Sequence, residues 1–285
     1  MTKLKIAIQK TGRMSEKSLA LLKSCGISLG NGDKKLMTSA NNFPVEVLFL
    51  RDDDIPQYVE QSVADVGIIG LNEVWEKNKA IDIVEKLGFA ACKMSLAIPK
   101  DEKYDGISWF EGKKVASSYP HILQKFANEN NLNIIIEEIA GSVEIAPGIG
   151  LAEAICDLVS SGSTLFTNGL KEVETILHSE AVVVANKNLS DEKQQILEKL
   201  LLRIKAVKAA KNNKYIMLNA PNHQLKNIFA LLPGMKSPTV VPLAEEGWSS
   251  VQSVVKENEF WEVMEKLQQY EAEGIIVLPI EKMIV

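Results

Sequence analysis

Apolar positions along the first hundred residues fall into short alternating or continuous runs, and polar loops separate these runs. Residues 4–8 alternate between apolar and polar and predict a strand, which the polar loop at residues 9–13 follows. Ser15 then predicts a helix N-cap, because apolar positions recur behind it at helical spacing as far as Gly26. Further strands are predicted at residues 45–50, 66–70 and 92–99, and Asp54 predicts the N-cap of a helix that runs through Tyr58 and Val63. Strand, glycine loop and helix in this order indicate an α/β domain.

The same pattern begins again near residue 100 and once more near residue 214. Further strands are predicted at residues 114–117, 133–139, 154–159 and 181–185. Two successive α/β units favour two lobes with a cleft between them. After a long helix, the last stretch has the βαββαβ order of a ferredoxin-like module. The expected division is lobe I at residues 1–95 and 181–212, lobe II at residues 96–180, and a third domain at residues 213–285.

The composition indicates a globular protein and excludes a disordered chain. The 285 residues are 46% hydrophobic, and their net charge of −5 argues against a general binder of nucleic acid or membrane surfaces. No apolar run approaches the roughly 20 residues that a membrane span needs. The scattered cysteines, Cys25, Cys92 and Cys156, favour reduced thiols in the cytoplasm over disulfides or a zinc site. Because the chain is acidic overall, an anionic substrate would need a local cluster of basic residues.

The strongest chemical signal lies between residues 150 and 164. Glu153 and Asp157 are four residues apart, so they share a face in a strand or in a helix. A loop of small hydroxyl residues around a glycine follows, and such loops bind anions through backbone N–H groups and hydroxyls. Carboxylates beside a phosphate make sense if they accept hydrogen bonds from sugar hydroxyls or hold a metal that neutralises a diphosphate. The alternative is a surface turn after a core strand. The residues of this loop are Ser160, Ser161, Gly162, Ser163 and Thr164.

Arginine is the second signal, because only three of the 32 basic residues are arginines. Arg13 and Arg51 each follow a predicted strand, where ligand sites of α/β proteins form, and arginine binds phosphate in a bidentate manner. Lys10 adds a charge to the Arg13 loop, and Gly12 lets the backbone approach a ligand. Alternatively, Arg51 pairs with one of the aspartates at residues 52–54.

Two weaker signals come from predicted turns. Glu144 follows Gly141 and Ser142, so it either projects into the cleft or lies on the surface in a first helical turn. Tyr119 and His121 lie at the turn before another helix. The patterns GxxxxGK[ST] and GxGxxG do not occur, which disfavours a P-loop ATPase and a Rossmann dehydrogenase.

Residues 137–165, EEIAGSVEIAPGIGLAEAICDLVSSGSTL, resemble the signature of the ATP phosphoribosyltransferases, whose reaction begins histidine biosynthesis. The segments at 9–13, 51–56, 65–70 and 118–120 resemble the same family in the same order. Residues 233–239 and 278–283 are similar to its long form, which has a C-terminal regulatory domain. The resemblance covers nearly the whole chain. It implies a two-lobed α/β core like type II periplasmic binding proteins and a ferredoxin-like (ACT-like) regulatory domain.

The resemblance also implies a reaction. Phosphoribosyl pyrophosphate donates its 5-phosphoribosyl group to N1 of ATP and releases pyrophosphate, with Mg²⁺ as cofactor. The loop at residues 160–164 is expected to hold the donor's 5-phosphate, and Glu153 and Asp157 its ribose hydroxyls. Neither the residues nor the resemblance identifies a general base. The basic residues expected to bind pyrophosphate or the ATP triphosphate, with neither group assigned to one of them, are Lys10, Arg13 and Arg51. The further substrate contacts expected are Gly12, Tyr119 and Glu144.

Regulation and assembly are implied in the same way. The family forms homo-oligomers, dimers that assemble to hexamers, and is inhibited by histidine. Positions that match the histidine site at a subunit interface are Met235, Ser237, Thr239, Val254 and Gly274. For Thr239 and Val254, strand packing is the alternative.

Two other functions compete with this one. Two lobes joined by a hinge also describe a non-catalytic regulator that binds a small ligand. A phosphoribosyltransferase with a different nucleophile is the second alternative.

Overall fold

The computed structural model describes residues 2–30, 36–160 and 162–284. The chain divides into two compact units. One unit contains the residues up to Ala20 together with Ile27–Leu197, and the other contains Leu21–Gly26 together with the residues from Glu198 onward.

The first unit is an alternation of strands and helices. Its strands are β1 (Leu4–Gln9), β2 (Met37–Ser39), β3 (Val45–Leu50), β4 (Val66–Gly70), β5 (Ile81–Lys86), β6 (Cys92–Pro99), β7 (Lys114–Ser117), β8 (Ile135–Glu138), β9 (Ala154–Val159), β10 (Leu170–Ser179) and β11 (Ala181–Asn186). The helices that begin in it are α1 (Arg13–Ser24), α2 (Ile55–Glu60), α3 (Leu71–Lys77), α4 (Pro120–Glu129), α5 (Ser163–Thr167) and α6 (Asp191–Lys211).

These strands form two sheets, one in each lobe. The first has the order β2-β3-β1-β4-β11-β5, with β1 parallel to β3 and β4. The second has the order β10-β6-β9-β7-β8, with β7 parallel to β8 and β9. The chain crosses to the second sheet after β5 and returns as β11, which lies antiparallel between β4 and β5. This two-lobed α/β arrangement confirms the predicted fold class of the core.

Each lobe has its own apolar core. The central strands β4 and β11 are buried along almost their whole length, as strands covered on both faces are. In the second lobe, Phe110 and Leu123 are fully buried against the sheet. At roughly 25 cal/mol per Å² of apolar area, such burial is the main stabilising contribution to each lobe. The sheet edges that carry the loops are therefore held on rigid layers.

Three local predictions were wrong. Helix α1 begins at Arg13, so Ser15 lies inside it and is buried rather than capping its start. The helix predicted to run through Val63 ends at Glu60. The edge strands β5 and β10 were not predicted at all.

The C-terminal part of the second unit has the predicted βαββαβ order. Its elements are β12 (Asn213–Pro221), α7 (Leu225–Leu231), β13 (Thr239–Pro242), β14 (Trp248–Lys256), α8 (Phe260–Gln269) and β15 (Glu273–Pro279). The sheet order is β13-β14-β12-β15, and all neighbours are antiparallel. This is the ferredoxin-like topology. Among the described residues, no helix is both long and apolar enough to cross a membrane.

Candidate active site

Two basic residues lie exposed at the carboxyl end of β1. The backbone N–H of Lys10 donates to the Leu50 carbonyl at 2.8 Å, which ties this loop to the end of β3. Gly12 has a φ of +89°, a conformation that favours glycine, and helix α1 begins directly after it at Arg13. Lys10 and Arg13 form no ion pair within the described ranges of the chain. Both charges therefore remain available to a phosphate.

The end of β3 contributes a third basic residue and two carboxylates. Arg51 Nε lies 3.4 Å from Asp53 Oδ1, so the predicted alternative of a local ion pair is formed. The Arg51 side chain is 80% exposed, and an exposed pair contributes only about 0.2–1 kcal/mol. A substrate phosphate could therefore replace Asp53. Next to it, Asp52 accepts a hydrogen bond from Gln9 Nε2 at 3.4 Å.

The end of β4 holds a buried polar group that the sequence analysis did not identify. Asn72 Nδ2 donates to Glu73 Oε1 at 3.1 Å and to Tyr119 Oη at 3.4 Å. Ser179 Oγ donates to Asn72 Oδ1 at 2.9 Å, which fixes the orientation of the amide. A Cβ atom at Gly70 would lie 2.3 Å from this oxygen, so any side chain at this position would displace the Asn72 amide. Asn72 thus connects the first lobe to Ser179 and Tyr119 of the second.

A cavity of about 200 Å³ opens between the two lobes at this point. Its walls combine apolar side chains with the polar groups just described. They are Gln9, Met14, Asp52, Ile68, Ile69, Gly70, Asn72, Glu73, Ala90, Cys92, Tyr119 and Leu158. The volume is below the roughly 300–1,000 Å³ of a site for a drug-sized ligand, so it suits one ring system of a larger substrate.

The surroundings of the cavity are acidic. Burial, with Asp52 as the next cause, raises the pKa of Glu73 to about 7. Burial also raises the pKa of Asp157, and nearby Glu144 adds to that shift, while the hydrogen bond from Leu158 N opposes it. For Tyr119, burial and then Glu73 and Asp157 raise the pKa well above its ordinary value. Such an environment favours a cation and disfavours a phosphate.

These interactions show that the second lobe brings together Asp157, Glu144 and Tyr119, as expected of residues in one cleft. Asp157 lies on β9 one residue before Leu158, which lines the cavity. Glu144 lies on the short turn Val143–Ile145 rather than on a longer helix. All three residues belong to the carboxyl-end side of the second sheet. Their side chains are the second lobe's contribution to the site.

Glu153 is not brought to this group. It precedes β9, is exposed, and its Oε2 accepts a hydrogen bond from the Lys114 backbone N–H at 2.8 Å. Lys114 begins β7, which runs parallel to β9, so Glu153 lies at the amino ends of these strands. At about 3.3 Å per residue, roughly 13 Å of strand separates it from Asp157. The two carboxylates therefore lie at different ends of the strand.

Helix α5 begins within the predicted phosphate loop. Gly162 is in the left-handed conformation, with φ +75°, and α5 begins at the next residue. Ser163 and Thr164 are thus the first residues of this five-residue helix and are exposed, as is Ser160. Ser161, which the sequence analysis also assigns to the loop, lies outside the described residues.

The five residues expected to bind histidine are spread over the C-terminal sheet. Thr239 on β13 pairs with Gln252, while Val254 on β14 pairs with Tyr215 at the opposite end of β12 from Gly274. A Cβ atom at Gly274 would lie 3.3 Å from Asn219 Nδ2. Met235 and Ser237 are exposed in the segment before β13. Within one copy of the chain, Thr239 therefore lies near Val254, whereas Gly274 lies apart from both.

Comparison with known proteins decides the family. The family model described as HisG, ATP phosphoribosyltransferase, matches residues 51–206, and the HisG C-terminal domain model matches residues 210–282. The chain belongs to the ATP phosphoribosyltransferase family. It is 56% identical over 281 residues to the ATP phosphoribosyltransferase of Phocaeicola vulgatus, covering 99% of each chain. It is also 56% identical to the Bacteroides thetaiotaomicron enzyme over 282 residues, covering 99% of this chain and 100% of the relative.

A solved structure of this family has a similar fold. The ATP phosphoribosyl transferase (HisG:HisZ) complex from Thermotoga maritima superposes with a TM-score of 0.61 at 28% identity, covering 71% of this chain and 98% of that one. The resemblance stated from the motifs is thereby confirmed, together with the fold class. The chain is therefore a pentosyltransferase of histidine biosynthesis, and the family uses phosphoribosyl pyrophosphate and ATP as substrates. A non-catalytic regulator is not favoured.

Proposed function

We propose that the cavity between the lobes is the place where the donor sugar and the adenine of ATP meet. The observation that carries this proposal is the separation of charge around it. Carboxyl groups surround the cavity, while Lys10, Arg13 and Arg51 lie outside it at the ends of β1 and β3. Both substrates have a phosphate part that needs cations and a ring part that becomes positive during the reaction.

The acidic lining suits the transition state. As the bond from ribose C1 to pyrophosphate breaks, the sugar gains oxocarbenium character, and fixed negative groups nearby stabilise that charge. We assign to Asp157 the acceptance of hydrogen bonds from the ribose hydroxyls. Tyr119 and Glu144 lie beside it and complete the second lobe's side of the site. Catalysis here is mainly electrostatic stabilisation and positioning.

We assign the phosphates of the two substrates to residues that lie outside the cavity. Lys10 and Arg13 are exposed, with Gly12 between them, so they can bind either the leaving pyrophosphate or the ATP triphosphate together with Arg51. The donor's 5-phosphate is assigned to the residues from Ser160 to Thr164. Glu153 serves the backbone of β7, and we give it no contact with substrate.

Mg²⁺ fits this arrangement if it binds together with the substrates, through their phosphates. Among the residues described, no three histidine, cysteine or carboxylate side chains come together as a ligand set. Mg²⁺ commonly keeps several waters and binds through substrate phosphates, so it does not need such a set. When bound to the pyrophosphate, it would neutralise the charge of the leaving group.

Regulation and assembly follow from the family's long form. We propose that histidine inhibits the enzyme through the C-terminal domain, at Met235, Ser237, Thr239, Val254 and Gly274. Because Gly274 lies at the opposite end of β12 from Val254 within one copy, a second subunit would complete the site, in a homo-oligomer that assembles from dimers to hexamers. We also propose that the protein works in the cytoplasm.

The experiment is a direct assay of the reaction. With ATP, phosphoribosyl pyrophosphate and Mg²⁺, the purified enzyme should form N1-phosphoribosyl-ATP, followed by its ultraviolet absorbance. Asp157→Asn should raise the KM for the donor more than that for ATP, by roughly 10-fold or more, since bonds to charged groups contribute about 1.5–3 kcal/mol. Glu153→Gln is the matched control and should keep both KM values within about twofold. No product from the wild type, or equal effects of the two variants, would contradict the proposal.

A further inference from the structure

Glu73 is the most deeply buried carboxylate among the side chains that line the cavity. It lies in the first turn of α3, and only 7% of its surface is exposed. One oxygen, Oε1, accepts the hydrogen bond from Asn72. Within the described residues, the other oxygen accepts no hydrogen bond and remains available to a ligand. Burying a carboxylate in this way is costly, and no second hydrogen bond from the described part of the chain offsets this cost.

The side chain is also held in a fixed orientation. Asn72, its partner, is anchored by Ser179 Oγ on both its backbone N–H, at 3.1 Å, and its side-chain oxygen, at 2.9 Å. The same amide reaches Tyr119 Oη, so both lobes position the group. Such support is typical of a side chain that must meet a substrate atom accurately.

The chemistry of the reaction creates a need for such a group. When N1 of adenine attacks C1 of the ribose, the N1–C1 bond forms and the C1–oxygen bond breaks, with its electron pair leaving on pyrophosphate. The purine then carries a positive charge that is shared between N1 and the exocyclic N6. Loss of one N6 proton returns the base to neutrality as the imino form. A carboxylate that accepts a hydrogen bond from N6–H stabilises this charge and can accept the proton.

We propose that Glu73 is the proton acceptor for the 6-amino group of ATP, an inference that rests on the proposed function of the cavity. In the ground state its carboxylate accepts a hydrogen bond from N6–H. As N1 bonds to the sugar, the N6 proton passes to Glu73 and is later released to water. The apolar walls, among them Ile69 and Leu158, enclose the purine ring. Glu73 is then a catalytic residue that discriminates for a 6-aminopurine.

The charges around Glu73 suit this task near neutral pH. Asp52, Asp53 and Glu76 raise its pKa beyond the effect of burial, whereas Lys77 lowers it. From the second lobe, Tyr119 and Cys92 face the same cavity, and both are held neutral by burial. A base whose pKa lies near the working pH transfers protons most effectively.

The test compares the full-length wild type with Glu73→Gln, Glu73→Asp and Lys77→Gln from pH 5.5 to 9. In the wild type, kcat/KM for ATP should fall below about pH 7, because the protonated acid cannot accept the N6 proton. Glu73→Gln should lower kcat at least about 100-fold and abolish this acid limb, while still binding phosphoribosyl pyrophosphate in calorimetry. Glu73→Asp should keep the limb at a reduced rate.

Lys77→Gln is the matched control on the same helix. Its side chain is exposed, and removing its positive charge should move the acid limb to higher pH without changing the plateau rate. A limb due to the phosphates of ATP would persist in Glu73→Gln and would not move in Lys77→Gln, which would overturn the inference. A Glu73→Gln enzyme as fast as wild type would overturn it too. No product from the wild type would instead refute the proposed function.

Discussion

Replacing Glu73 by glutamine should stabilise the enzyme, and the gain should grow with pH. In the folded protein the pKa of Glu73 is about 7, against 4.5 for the free side chain. Between these values the folded state binds more protons than the unfolded one, so the stability from this group falls as pH rises. It is fully present below pH 4.5 and lost above pH 7. Glutamine does not titrate, so the stability of the Glu73→Gln variant does not decrease in this way as pH rises.

The size of the effect follows from the shift. Each pKa unit corresponds to 1.36 kcal/mol, so the difference between variant and wild type should grow by about 3 kcal/mol from pH 4.5 to pH 8. For a chain of this size, such a change raises the melting temperature by roughly 5 °C or more. Glutamine can still accept the hydrogen bond from Asn72, so the local packing is retained.

The assay is a thermal melt of both proteins across this pH range. Comparing the two melting temperatures at each pH cancels the titration of all other groups. Glu60→Gln is the control of opposite sign, because a hydrogen bond from Ala80 N lowers the pKa of Glu60. Its native contribution is complete above pH 4.5 and is lost only as pH falls below that value, so the gap between wild type and Glu60→Gln should stay constant from pH 4.5 to pH 8. A gap between wild type and Glu73→Gln that stays constant from pH 4.5 to pH 8 would refute the reasoning.

Two more predictions concern stability. Glu76→Ala should destabilise the protein by about 1–3 kcal/mol in chemical unfolding, because Glu76 Oε1 accepts from His121 N at 3.1 Å and Oε2 from Ile122 N at 3.0 Å. Glu129→Ala is the control, because Glu129 forms an exposed ion pair on α4, the helix that contains His121. It should change stability by less than about 0.5 kcal/mol. Equal effects of the two variants would show that Glu76 does not stabilise the start of α4. Gly67→Ala should cost about 1–3 kcal/mol, since the new Cβ would lie 2.6 Å from Ile55 Cγ2, whereas at Gly148 the nearest atom is 3.5 Å away. An unchanged melting temperature for Gly67→Ala would show that the core relaxes around the methyl group.

Periodicity alone located the buried strands. The runs that become β4 and β11 are almost continuously apolar, because both faces of these strands are covered. The edge strands β5 and β10 were missed, since their positions are mostly exposed or half-buried and carry no clear period. The start of α1 was misplaced because Ser15 has the chemistry of a cap, yet packing buries it inside the helix.

The site shows the same division between local and long-range information. Lys10, Arg13 and Arg51 were found because basic residues directly after a strand are a local signal. Glu73 also follows a buried strand, and that signal was available, but only its packing against Asn72 and Tyr119 shows that it matters. The spacing predicted that Glu153 and Asp157 act together. In the structure, the carboxylate of Glu153 instead accepts a hydrogen bond from the backbone of the neighbouring strand β7.

The sequence by itself determined the family, the α/β class and the βαββαβ order of the C-terminal module, because motifs and apolar periods are local properties of the chain. Only the tertiary structure decided which acids share a cavity. Contacts such as Asn72 with Ser179 join residues more than a hundred positions apart. Burial, the property that sets the protonation of Glu73, results from the way the two lobes fold around it.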